Sequence, residues 1–163
     1  MRVRFLAVGR PARTFLPLLE IYLQRIGAFC GVELSWVRPF GGDEALARRR
    51  DAEAMLSRVR EGEFLYVADE RGLSYTSEGF AEEIGALRRR GCPVAFGVGG
   101  PSGLELEVFS RLGGRCRVLS LSSMTLQHEV ALLVLMEQVY RAFAILEGLP
   151  YHRGGGDGVG RLR

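Results

Sequence analysis

Lysine is absent from this chain, and all 22 basic residues are arginine. A Walker-type phosphate loop, which needs Gly-Lys-Ser/Thr, is therefore excluded. Histidine is nearly absent too: there are only His128 and His152, and neither has a second histidine or a carboxylate at ligand spacing, so no metal is expected. The three cysteines, Cys30, Cys92 and Cys116, are far apart and show no CxxC spacing. That argues against a disulfide framework and a zinc site, fits a reducing cytoplasm, and reads each thiol as a small apolar residue rather than a nucleophile. Long apolar runs are missing: the longest, Val130 to Met136, is far too short to span a bilayer. Met1-Arg2-Val3-Arg4 leads directly into a strand-like segment, without a signal-peptide pattern. A soluble, cytoplasmic protein with no membrane partner is the expectation.

What is present fits a single globular domain. The 163 residues are enough for a substantial core, and 47% hydrophobic with 25% charged residues is ordinary for such a domain. A net charge of +3 and a pI near 9.0 permit a nucleic-acid partner without requiring one. Arginine forks suit phosphates and stack on bases, although arginine in place of lysine also follows from genomic composition. The triplets Arg48–Arg50 and Arg88–Arg90 read as solvated helix faces, and only their arrangement across a dimer would make them an RNA surface.

Hydrophobic spacing orders the chain. Arg2 to Val8 reads as an opening strand closed by Gly9, and Phe15, Leu19, Tyr22 and Ile26 mark a helix face. Val32 to Val37 is a second strand. Asp43 is a candidate N-cap for a helix reaching Gly62, with Ala52, Leu56 and Val59 on one face. Phe64 to Ala68 and Pro93 to Val98 are short apolar strands of the kind buried on both sides. Between them a loop, Asp69 to Ser77, leads to a helix with Phe80, Ile84 and Leu87 inward, stopped at Gly91. Leu104, Val108 and Leu112 mark a short helix, Arg117 to Leu121 a last strand, and His128 to Glu147 a final helix. Strands alternating with helices predict a three-layer α/β fold around a mainly parallel sheet, in one domain over 1–153, with a flexible extension over 154–163. Val130 to Ile145 is apolar on nearly every face, so this helix must be buried on more than one side. A two-fold homodimer through it is favoured over a central helix in a monomer.

Two loops at strand ends carry the chemistry, because ligands of open parallel sheets bind at the carboxyl ends of the strands. The first is the turn Gly97-Val98-Gly99-Gly100-Pro101-Ser102-Gly103. It fails as a dinucleotide fingerprint: Ser102 takes the third glycine position, and no acid lies between Gly114 and Gln127. Its glycines still let the backbone approach a ligand closely. The second, Leu119 to His128, interleaves Ser120, Ser122, Ser123 and Thr125 with Leu121, Met124 and Leu126. Such a loop can offer main-chain hydrogen bonds to an adenine edge while Met and Leu enclose its faces. A serine nucleophile is disfavoured, since no G-x-S-x-G elbow is present. His128 reads as a helix cap or a catalyst.

Gly99-Gly100-Pro101-Ser102-Gly103, Leu119-Ser-Leu-Ser-Ser-Met-Thr-Leu126, Glu137-Gln-Val-Tyr-Arg-Ala-Phe143 and Pro150-Tyr-His-Arg153 together resemble the bacterial ribosomal RNA large-subunit methyltransferase H family, of the SPOUT class. The resemblance covers most of the chain. It implies a deep C-terminal trefoil knot, a homodimer, and S-adenosylmethionine bound bent within the knot. It also implies methylation of N3 of a pseudouridine in helix 69 of 23S rRNA, on assembled 70S ribosomes. Carried over by position, Ala68, Gly100, Ser122, Ser123, Met124, Thr125, Leu126 and Gln127 are the implied cofactor contacts. Tyr151, His152 and Arg153 are the implied tail that approaches cofactor and substrate, with His152 as base, Arg153 stabilising charge, and His128 as second candidate base. Ser102, Gln127, Leu132 and Leu73 depart from the family's common glutamate, proline, arginine and lysine. The rivals are another SPOUT enzyme acting on tRNA at a ribose hydroxyl, and a non-catalytic RNA- or ribosome-binding dimer.

Overall fold

The computed structural model describes residues 1–153, so the expected extension over 154–163 lies outside the described residues. The elements in order are β1 (Arg2–Val8), α1 (Leu16–Gly27), β2 (Gly31–Val37), α2 (Glu44–Leu56), β3 (Phe64–Ser74), α3 (Ser77–Arg89) and β4 (Val94–Val98). A 3₁₀ segment (Leu106–Arg115), β5 (Cys116–Ser120) and α4 (His128–Leu146) follow. The five strands form one sheet in the order β2-β1-β4-β3-β5, and every pairing is parallel.

The strands are apolar on both faces because both are covered. Successive side chains alternate across a sheet, so Val3, Phe5 and Ala7 of β1 join the cluster under α1, α3 and α4. Leu6 and Val8 join the cluster under α2 and the 3₁₀ segment. Phe5, Phe96 and Tyr66 stack across β1, β4 and β3 with centroids 5.4 and 5.5 Å apart. All three rings are fully buried, and burial of each is worth roughly 1.5–3 kcal/mol. At the amino edge the buried Arg4 pairs with Glu63 and Glu33, both at 2.9 Å, so its charge is compensated.

Several boundaries differ from the sequence reading. The Asp43 carboxylate does cap α2, accepting from the Leu46 N–H at 2.9 Å, but the helix ends at Leu56 rather than Gly62. Its buried face is Ala47, Asp51, Ala52 and Met55. The expected loop 69–77 is largely strand: β3 continues to Ser74 across a register shift between Ala68 and Leu73, both of which pair with Leu119. Asp69 to Gly72 bulge out of the ladder there. The helix marked by Leu104, Val108 and Leu112 is the 3₁₀ segment, broken where Gly113 takes φ 54°. Gln127, not His128, caps α4: its side chain accepts from the Val130 N–H at 3.3 Å.

α4 lies on the sheet between α1 and α3, with Leu132, Leu135, Met136, Val139, Ala142 and Phe143 buried. That accounts for most of its apolar surface within one chain. Val130 remains exposed and Leu133, Val134 and Tyr140 half-buried, beside the exposed Leu18 and Ile21 of α1. Among the described residues no helix is long and apolar enough to cross a membrane.

Candidate functional site

A parallel sheet brings all strand carboxyl ends to one edge, and a cavity of about 560 Å³ opens there. That volume suits a nucleoside-sized ligand. One wall is the end of β3, Ala68 to Glu70; a second is the glycine turn after β4, with Leu104 behind it. The third is the segment after β5 with the start of α4, from Leu121 to Ala131.

The glycine turn has its composition for steric reasons. A Cβ at Gly99 would stand 3.0 Å from Leu104 Cγ, and one at Gly100 would stand 3.2 Å from Val8 Cγ1. Only Gly103 needs positive φ (76°), and its N–H closes the turn on the Gly100 carbonyl at 2.9 Å. Backbone atoms therefore form this wall without side-chain screening. The loop after β5 is shaped by its own hydroxyls. Ser120 Oγ donates to the Ser122 carbonyl at 2.9 Å, and the Met124 N–H donates to Ser122 Oγ at 3.0 Å. Thr125 Oγ1 donates to Glu70 Oε2 at 2.6 Å, tying this loop to the β3 wall.

Of the expected cofactor contacts, Ala68, Gly100, Ser122, Met124, Thr125, Leu126 and Gln127 line the cavity; Ser123 is exposed and does not. His128 also lines it. Sequence reading missed Asp69, Glu70 and Leu104. Arg71 engages Asp69 through two guanidinium contacts of 2.8 Å, and this hydrogen bonding holds the Asp69 carboxyl below its ordinary range. Glu70 has no such cation within ion-pair distance among the described residues, and its partner is a hydroxyl.

Tyr151, His152 and Arg153 do not reach this cavity within one chain. They gather at the other end of α4. Tyr151 donates to Glu137 Oε1 at 2.9 Å, stacks edge-on against Tyr140 at 4.7 Å, and lies under the Arg141 guanidinium at 4.8 Å. Burial and then the Glu137 carboxylate push the Tyr151 hydroxyl pKa up, so it stays protonated. His152 Nδ1 is 3.3 Å from Arg141 Nη1, and Nε2 is 2.7 Å from Glu78 Oε1. Arginine only donates, so Nδ1 accepts and Nε2 carries the proton toward Glu78. No spacing signal could have found Glu78, which lies 74 positions from His152. Two of the thiols are not poised for attack: burial raises the Cys30 pKa and pushes Cys116 up to about 11.

The cavity meets the demands of S-adenosylmethionine, which SPOUT methyltransferases use. It has the backbone of the glycine turn along one wall and an apolar enclosure from Leu104, Leu121 and Leu126, and Gly100 packs so closely on the buried Val8 that a side chain there would displace this wall.

The family described as "Predicted SPOUT methyltransferase" matches residues 1–152. A ribosomal RNA large subunit methyltransferase H from Anaeromyxobacter sp. (strain Fw109-5) is 41% identical over 157 residues, covering 94% of this chain and 100% of the relative. Its namesake from Thermotoga maritima is 33% identical over 154 residues, covering 93% and 99%. That from Acetivibrio thermocellus is 33% identical over 162 residues, covering 94% and 100%. The chain belongs to the ribosomal RNA large subunit methyltransferase H family of SPOUT methyltransferases.

Proposed function

We propose that the protein transfers the methyl group of S-adenosylmethionine to N3 of a pseudouridine in helix 69 of 23S rRNA, on assembled 70S ribosomes in the cytoplasm. The observation that carries this reading is the cavity at the carboxyl edge, where Gly100, Ser122 and Met124 to Gln127 meet Ala68. That the relatives are ribosomal RNA large subunit methyltransferases supports the rRNA substrate.

When bound, the cofactor supplies an electrophilic methyl group on a sulfonium. A carbon–sulfur bond breaks as the N3–carbon bond forms, and the N3 proton must go to a base. Transfer of this kind depends on positioning and on stabilising the developing imide anion. His152 takes the first task once its Nδ1 leaves Arg141, Arg153 takes the second, and Tyr151 holds the tail through Glu137.

These groups stand at one end of α4 and the cavity at the other. From Ala131 to Arg141 the helix climbs about 15 Å at roughly 1.5 Å per residue. A two-fold axis across α4 resolves the separation. Antiparallel pairing brings the carboxyl end of one α4 to the amino end of its copy, and hence one tail to the other cavity. The apolar strip of Leu18, Ile21, Val130, Leu133 and Val134 supplies the surface for that pairing. The protein acts as a homodimer with two shared sites, each cavity served by the other copy's tail. His128, on the cavity wall in the same chain, is the alternative base.

Mixed dimers test this arrangement. Gly100→Val disables a cavity, and His152→Ala disables a tail. Random mixing of the two impaired variants should raise methyl transfer above either parent, toward about a quarter of the wild-type level, since half the dimers then hold one intact site. Mixtures as inactive as their parents would show that cavity and tail belong to the same chain.

A further inference from the structure

We infer that the loops following β1 and β2, with the first turns of α2, form an RNA-docking platform beside the cofactor cavity, in which Phe40 stacks on an unpaired base and Arg10, Arg13, Arg38 and Arg50 hold the flanking phosphates. This deepens the reading above by assigning the surface that receives the rRNA, and it rests on that reading.

The placement follows from register. Val8 of β1 pairs with Val37 of β2, and Ala7 pairs with Val98 of β4, so Gly9, Arg38 and Gly99 leave the sheet side by side. A small cleft joins Gly9 and Pro11 to Gly99 and His128, which also belong to the cofactor cavity. Both loops are fixed. The Gly9 N–H donates to the Val37 carbonyl at 2.8 Å, and the Ala12 N–H to Glu129 Oε1 at 2.6 Å. On the other side the Glu105 N–H donates to the Arg48 carbonyl at 3.2 Å, tying α2 to the segment that carries Leu104 of the cavity wall.

Phe40 is the unusual element. A phenyl ring 47% exposed would ordinarily fold inward, yet its backbone is held by a built contact. The Phe40 N–H donates at 2.8 Å to Oδ1 of Asp51, a carboxylate that is 3% exposed. Burying a carboxylate for one hydrogen bond is costly, and the contact fixes an outward aromatic. The Arg50 guanidinium lies 5.6 Å from the ring centroid, forming a cation–aromatic pair of the type on which bases stack.

The charges fit a polyanion. Among the described residues Arg10, Arg13, Arg38, Arg48 and Arg50 have no carboxylate within ion-pair distance, and all five are exposed. Nearby acids are largely committed: Asp43 caps α2, Glu129 holds Ala12, and Asp51 is buried, leaving Glu44 and Glu105. Sequence-specific RNA recognition uses splayed bases on aromatic rings, and phosphate contacts fix register.

The test uses the full-length protein and 70S ribosomes lacking the modification. Phe40→Ala should weaken ribosome binding about tenfold, the range for loss of one stacked base. The double variant Arg10→Gln, Arg38→Gln should lower the slope of log affinity against log salt by about one to two. The control Arg2→Gln lies at the opposite end of β1 and should change neither. Calorimetry with S-adenosylmethionine should give wild-type affinity for all of them. Wild-type ribosome binding by the Phe40 and arginine variants, or an equal loss in Arg2→Gln, overturns the platform while leaving the proposed function standing. Dissociation of a dimer by Phe40→Ala in sedimentation would make the patch a subunit contact and overturn it as well. A wild-type chain that binds S-adenosylmethionine but no ribosome overturns both readings.

Discussion

Gly72 carries the most exposed prediction of this account, since it sits where β3 crosses over β5 between its two stretches of pairing. A Cβ built there would lie 2.6 Å from the carbonyl carbon and oxygen of Val118 and 2.7 Å from the Leu119 nitrogen. These are backbone atoms of a paired strand, so no rotamer change relieves the overlap. Reaching ordinary contact requires β3 and β5 to separate by the better part of an ångström. Overpacking a tight site costs about 1–3 kcal/mol, and a clash with rigid backbone belongs at the upper end, about 3 kcal/mol. For a chain of this size each kcal/mol lowers Tm by about 2–4 °C, so Gly72→Ala should fall by roughly 6–12 °C. Cofactor affinity should fall with it, because Ala68 to Glu70 and Leu121 to Gln127, two cavity walls, flank the separated strands. Gly91→Ala is the matched control: φ there is 64° with nothing within 4 Å of the new Cβ, so only left-handed strain of about 1–2 kcal/mol applies. Scanning calorimetry with titration of S-adenosylmethionine reads both effects. A Gly72→Ala protein no less stable than Gly91→Ala, with wild-type affinity, would refute the reasoning.

Three further outcomes are expected. Gly100→Val presses on the buried Val8, 3.2 Å from the added Cβ, and should displace the glycine-turn wall, weakening S-adenosylmethionine binding by calorimetry and costing about 1–3 kcal/mol of stability. His152→Ala should lower turnover on ribosomes and leave cofactor affinity within about twofold, since a tail residue contributes to chemistry rather than to the cavity. Asp51→Asn tests the buried carboxylate. Burial raises the Asp51 pKa above its ordinary 3.8, so Asp51 favours the fold when protonated and loses that contribution as pH rises through the raised value. The Tm difference should therefore move in the variant's favour from about pH 4 to about pH 7, and a difference independent of pH would contradict it.

Legibility in the sequence followed the strength of local signals. β1 was read to the residue because seven strand-forming positions end at a glycine, and Asp43 announced α2 through its capping chemistry. The cavity was legible because glycine and small hydroxyl residues at strand ends have few other uses. The extension of β3 was not: Asp69-Glu70-Arg71-Gly72 has loop composition, and only renewed pairing of Leu73 with Leu119 returns it to the sheet. The site of the tail was also hidden. Sequence adjacency sets Tyr151 to Arg153 just beyond α4, while Glu78, Glu137 and Arg141 hold them through contacts no periodicity encodes. The triplet Arg48–Arg50 was legible as a solvated helix face, but no local signal joins Arg50 to Phe40, Arg10, Arg13 and Arg38.

Transfer of labelled methyl from S-adenosylmethionine to 70S ribosomes lacking the modification tests the central claim most directly, with matched ribosomes carrying uridine in place of pseudouridine in helix 69 as control. Label should be confined to that loop and absent from the control ribosomes. Label elsewhere in the RNA, or none despite measured cofactor binding, would contradict the assigned substrate.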